Sequence, residues 1–209
     1  MSEETTIRRC FRTEKLRVDE RDGKSVIVGL AVPYGAPSED LGGFREVFKR
    51  GAFKDSLGDD IFADVEHDRS KKLGRTAAGT VTFKSAREGL RAEIQVPDTT
   101  VGRDALEEVR NGSLDAMSIA FMDPEEEWRG SEGNLTRHIG KATLRAVTLT
   151  SFPAFPQTAG TLTERSLAEY RASQKPPEEG AEYEGPETEE LRRRLDLAEA
   201  ELPLTTQGE

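Results

Sequence analysis

Cysteine is nearly absent from this 209-residue chain: Cys10 stands alone. One thiol excludes an internal disulfide and any CxxC metal cluster, and it fits a reducing compartment. Histidine is almost as scarce. His67 and His138 are the full set, so any imidazole chemistry must use one or both. No apolar run approaches the length that spans a bilayer, and the opening MSEETTIRRC lacks the apolar stretch of a secretory signal. A membrane is therefore not an expected partner. Glycine-rich phosphate loops are missing too. Positive charge is in deficit: 30 Lys and Arg against 40 Asp and Glu leave a formal net charge of −10. Duplex nucleic acid is bound by basic surfaces, so that partner is not expected either.

Hydrophobic residues make up 34% of the chain and charged residues 33%. That apolar share is low for a fully packed chain and predicts one domain plus a solvated portion. The character changes after FPAFP (152–156). We place a globular domain at 1–160 and a flexible acidic tail at 161–209. The Pro-, Gly- and Glu-rich composition of residues 171–190 predicts disorder there. The spacing of Leu191, Leu195 and Ala198 along one stripe predicts a short charged helix over 186–202.

Within the domain, TTIRRCFR (5–12) and SVIVGLAV (25–32) read as strands, with RDGK (21–24) a turn before the second. Residues 44–57 hold a short strand or turn and then a short helix. DIFADVEH (60–67) alternates as a strand ending at His67. Residues 78–96 form a hairpin turning near Arg87-Glu88-Gly89. Residues 99–112 form a helix, capped by Thr99 or Thr100 and stopped by Asn111-Gly112. Strands follow at 114–122 and 135–152, separated by an acidic loop, DPEEEWRGSEGN. Many short strands and about two helices predict a mostly β, α+β fold: a small antiparallel β-barrel flanked by a few helices.

Alternation along NGSLDAMSIAF (111–121) puts Met117, Ile119 and Phe121 on one face and Ala116, Ser118 and Ala120 on the other. A lone hydroxyl between two methyl groups leaves room for a substrate, though an ordinary strand serine looks the same. A serine becomes a nucleophile when a base takes its proton, and histidine suits that task. Parity groups His67 with Ile61, Ala63 and Val65. If 114–122 and 135–146 pair about the middle of the acidic loop, Ser118 falls opposite Gly140. His138 then lies one diagonal step away and could orient the base. A one-residue slip would turn His138 to the other face. Glu66, His67 and Asp68 make a poor metal site with a single imidazole, so no metal or cofactor is expected. Glu125–Glu127 read as a solvated run, and Trp128 as an aromatic folded back on the domain.

Four stretches in series resemble a known family: GLAVPYGAPSEDLGGFREVFKRGAF (29–53), HDRSKKLGRTAAGTVTFKSAREGLRAEIQVPDT (67–99), LEEVRNGSLDAMSIAF (106–121) and LRAVTLTSFPAFP (144–156). Their order is similar to that of the prohead proteases of tailed bacteriophages, serine peptidases that mature capsids. The resemblance implies a barrel like that of the herpesvirus capsid assembly protease, with Ser118 as nucleophile and His67 as general base. The herpesvirus enzymes complete the site with a second histidine, for which His138 is the only candidate here. Many phage members instead carry a glutamate at the place of Ala146, which this chain lacks. Arg137 and Arg145 are candidate oxyanion donors on the same strand.

The implied setting is the assembling procapsid in the host bacterial cytoplasm. The implied partners are the major capsid protein, the scaffold and the enzyme itself, through autocleavage and self-association. The other reading is a non-catalytic scaffold or assembly protein that kept the fold.

Overall fold

A computed structural model describes residues 6–11, 16–131, 133–151 and 161–174. They form two sheets. The larger has five strands in the order β1 (Ile7–Phe11), β9 (Ala116–Arg129), β10 (Thr136–Thr150), β5 (Phe62–Val65) and β6 (Asp68–Arg75). A sixth, β4 (Arg45–Phe48), also lies against β10. β4 and β5 run parallel to β10, along different stretches of it, and the other pairs are antiparallel. The smaller sheet is antiparallel throughout, in the order β2 (Arg17–Arg21), β3 (Lys24–Pro33), β8 (Gly89–Gln95) and β7 (Val81–Ser85). Two helices complete the set, α1 (Thr100–Asn111) and α2 (Thr161–Gln174).

The α+β class matches the expectation, but the small antiparallel barrel does not form. The strands divide between two sheets, and among the described residues β1 and β6 remain the ends of the larger one. The β9–β10 hairpin is longer than expected. The acidic run expected as a loop continues β9 as far as Arg129, because its side chains alternate outward and inward. Glu127 faces out and pairs with Lys49 and Arg129. Trp128 faces in and meets Phe44 edge-on, with centroids 5.2 Å apart. The outermost pair of the hairpin is therefore Arg129 with Thr136, and every register along β10 moves with it.

The main apolar cluster lies between the sheets. Met117, Ile119 and Phe121 of β9 join Ile27 of β3 and Leu90, Ala92 and Ile94 of β8 in it. Gly29 lets β3 approach, since a Cβ there would stand 2.9 Å from the Met117 Cε. α1 is bounded as its caps predict: the Thr99 hydroxyl accepts from the Gly102 N–H, and Gly112 closes the last turn with φ 83°. The short helix expected within 44–57 is absent, and turns follow β4 there.

One cluster of charge is shut away from water. Glu46 on β4 accepts Nε of Arg9 at 2.9 Å and Nη1 of Arg137 at 2.7 Å. Both Glu46 and Arg137 are 1% exposed. Arg137 also binds Glu126, and donates at 3.2 Å to the hydroxyl of Thr163 on α2. Ser166 adds a bond from Trp128 Nε1 at 2.8 Å and one to Glu126. Chain expected to be tail from 161 thus opens as a helix anchored on the hairpin. This packing belongs to the compact unit ending at Ala168. The acidic residues 175–209, including the helix expected over 186–202, lie outside the described residues.

Truncating Glu46 removes a buried carboxylate shared by two buried guanidinium groups. Glu46→Ala is expected to lower unfolding free energy by about 3–5 kcal/mol, read as a shifted midpoint in urea denaturation.

Candidate active site

Ser118 sits in the interior half of β9, where both faces are buried. Cα register places it between Cys10 of β1 and Thr148 of β10, and Thr148 in turn beside Asp64 of β5. Paired residues of neighbouring strands project to the same face. Cys10, Ser118, Thr148 and Asp64 therefore form one row across four strands, each step about 4.8 Å. Ala116 and Ala120 flank the serine on this face as the alternation predicts, and the face stays outside the main apolar cluster. Ser118 is 0% exposed, and among the described residues its Oγ has no hydrogen-bond partner. A buried hydroxyl without a partner is a group for which the fold makes no structural use.

The rest of the row is polar and bonded. Thr148 donates its hydroxyl to Asp64 Oδ1 at 2.5 Å, and Asp64 is 6% exposed. One step along, Arg8 of β1 pairs with Ala120, so it shares the serine's face; its side chain is exposed. Among the described residues its guanidinium enters no ion pair.

His67 does not occupy a strand position. β5 ends at Val65 and β6 begins at Asp68, leaving Glu66 and His67 as a two-residue turn with φ 52° and 58°. Positive φ at both central positions is the type I′ hairpin, which matches the twist of the flanking strands. Neither residue is glycine, and L side chains are strained there. Glu66 holds the turn closed: its carboxylate accepts from Ser151 N–H and Ser151 Oγ at 2.7 Å each and from Thr150 Oγ1 at 2.9 Å. Burial opposes the charge on Glu66, but these donors and the nearby imidazole hold its pKa below the usual value.

The turn decides which side of the sheet His67 serves. Strand parity would have sent it with Ala63 and Val65 into the apolar core. Its charged neighbours are instead Arg8, Asp64 and Glu66. Arg8 and Asp64 belong to Ser118's face and stand on β1 and β5, with β9 and β10 between them. Partial burial, and then Arg8, push the imidazole pKa below its usual 6.5, against the pull of Asp64 and Glu66. At pH 7 His67 is therefore neutral and able to accept a proton. Ser118 and His67 share no hydrogen bond in this structure.

His138 is not part of this arrangement. It pairs with Glu127 on β9, and Thr148, not Gly140, stands opposite Ser118. Ten residues of strand, roughly 33 Å, separate His138 from Thr148. The expected diagonal contact fails because the hairpin turns later than the acidic run implied. His138 Nε2 lies 3.1 Å from Thr136 Oγ1, and burial, Arg129 and Lys49 lower its pKa. Arg137 is committed to Glu46 and Glu126, far from the serine. Arg145 is exposed at a register shift in β10. Ala146, paired with Ala120 and Phe62, shares the serine's face and offers only a methyl group.

Two members of the face escaped the sequence reading. Asp64 is a carboxylate interrupting the apolar run IFADV, and that interruption was its signal. Arg8 carried no signal beyond strand alternation. No group of three or more His, Cys, Asp or Glu among the described residues is placed to hold a metal ion.

The chain has the same fold as the bacteriophage T4 capsid assembly protease, gp21, with a TM-score of 0.52 and 9% identity over 73% of this chain and 100% of that one. A search of curated proteins gives no match. The family model for the caudovirus prohead serine protease matches residues 13–173, which take in both Ser118 and His67. The chain belongs to the caudovirus prohead serine protease family.

Proposed function

We propose that the chain is a serine endopeptidase of procapsid maturation, with Ser118 as nucleophile and His67 as general base. The observation that carries this reading is the pairing of an unbonded Ser118 hydroxyl with a histidine whose charged neighbours flank it on the same face. Ser118 Oγ attacks the scissile carbonyl carbon as His67 takes its proton. The tetrahedral intermediate collapses to an acyl-enzyme, and the protonated imidazole passes its proton to the leaving amine. Water, deprotonated by His67, then releases the acid and restores the serine. Arg8 is the cation on this face suited to meet the oxyanion, together with backbone N–H groups.

The substrates in this reading are the scaffold or the scaffolding segment of the capsid protein, cut inside the assembling procapsid in the host bacterial cytoplasm. The protein also cuts itself, and the acidic residues 175–209 tether it to shell or scaffold until they are removed. The alternative is an assembly protein of the same fold without peptidase activity. The methyl group at position 146 and the full burial of Ser118 favour that alternative.

Co-expression with the capsid protein and scaffold decides between them. Wild type is expected to trim the capsid protein and its own C-terminal region, and Ser118→Ala to leave both at full length by mass spectrometry. Identical masses for the two establish the non-catalytic reading.

The histidines separate in the same assay. His67→Ala is expected to reduce trimming at least about 100-fold, the scale of a lost general base, while His138→Gln leaves it near wild type. The pH dependence follows from the lowered His67 pKa. The active form is the neutral imidazole, so the rate is level above neutrality. It falls on acidification with a midpoint below 6.5.

A further inference from the structure

Ala146 offers the serine's face only a methyl group, and His138 is out of reach. A histidine base still needs a group that selects its tautomer and stabilises the imidazolium. We propose that Asp64 is this positioning residue for His67, an inference that rests on the serine peptidase reading of the site.

The argument begins with register. A carboxylate at 146 would share the serine's face, beside Phe62 on β5. Asp64 lies on the same face of β5, one diagonal step from Ala146. The position is thus two strands from Ser118 in the cross-strand row and three residues before His67. The type I′ turn at 66–67 reverses the chain there, between β5 and β6. Environment supports the assignment. Asp64 is 6% exposed yet has a single hydrogen bond among the described residues, the 2.5 Å contact from Thr148. A carboxylate has about four acceptor sites, and one so deeply buried ordinarily takes two or three donors. Asp64 acts on His67 as a neighbouring negative charge. The groups acting on His67 are Arg8 from β1, Asp64 from β5 and Glu66 from the turn, and Glu66 is occupied by three donors from the end of β10. Asp64 is the carboxylate left to serve the imidazole.

The test uses the full chain and two readouts. The first is the His67 titration by NMR in a Ser118→Ala background, with and without Asp64→Asn. The amide keeps the size and the acceptor for Thr148 but removes the charge. The His67 midpoint is expected to fall, because a neighbouring negative charge is what raises it. The second is the rate of labelling by a fluorophosphonate probe across pH.

Asp64→Asn is expected to slow labelling by at least about tenfold, towards the roughly 10⁴-fold loss seen when an orienting aspartate becomes an amide. The labelling midpoint should fall in parallel, and Asp64→Glu should recover part of the rate. A His67 titration unmoved by Asp64→Asn, or unchanged labelling, overturns the proposal. A shifted titration with an unlabelled wild type upholds the Asp64–His67 pairing and sinks the peptidase reading instead. Should Asp64→Asn not fold, Thr148→Val decides. Without its donor, the carboxylate raises the His67 midpoint, and an unmoved midpoint overturns the proposal.

Discussion

Glu46 carries one negative charge between two guanidinium groups, and all three are shut away from water. Such a cluster adds little net stability over apolar packing, but a displaced partner leaves a buried charge uncompensated, at several kcal/mol. Its members come from β1, β4 and β10, and through Arg137 it reaches β9 and α2. It therefore ties the registers of the strands on both sides of β9. Those registers set what lies beside Ser118, because a slip of one residue would turn Cys10 or Thr148 to the other face.

The site depends on two different backbone rules. Ser118 reaches its face by strand alternation, in a sheet buried on both sides. His67 reaches that face by breaking alternation. Two consecutive left-handed residues reverse the chain between β5 and β6, and the strain is held by the Glu66 carboxylate on the end of β10. The same contact fixes the C-terminal end of the strand that carries Thr148. One acidic side chain thus couples the base-bearing turn to the strand next to the nucleophile.

Much of the local structure was legible in the residues. α1 with both its caps, the 78–96 hairpin and the alternation around Ser118 rest on interactions between near neighbours in the chain, and the structure holds all three. The α+β class follows from the same local signals. The acidic residues after 122 misled, because negative charge reads as loop when its partners are unknown. Lys49, Arg129 and Arg137 supply those partners, two of them from outside β9, and turn the run into the far half of β9. The displaced hairpin turn then removed His138 from the site and put Thr148 opposite the serine.

Sequence alone determined the chemistry on offer: one hydroxyl set among methyl groups, two imidazoles, a single thiol and no metal-binding pattern, all properties of residue type and short spacing. Tertiary structure decided which of these could meet. Pairing between strands far apart in the chain brought Arg8, Asp64 and Ala146 onto the face of Ser118. Register between distant strands is set by long-range packing and buried charge, and no local pattern of residues encodes it.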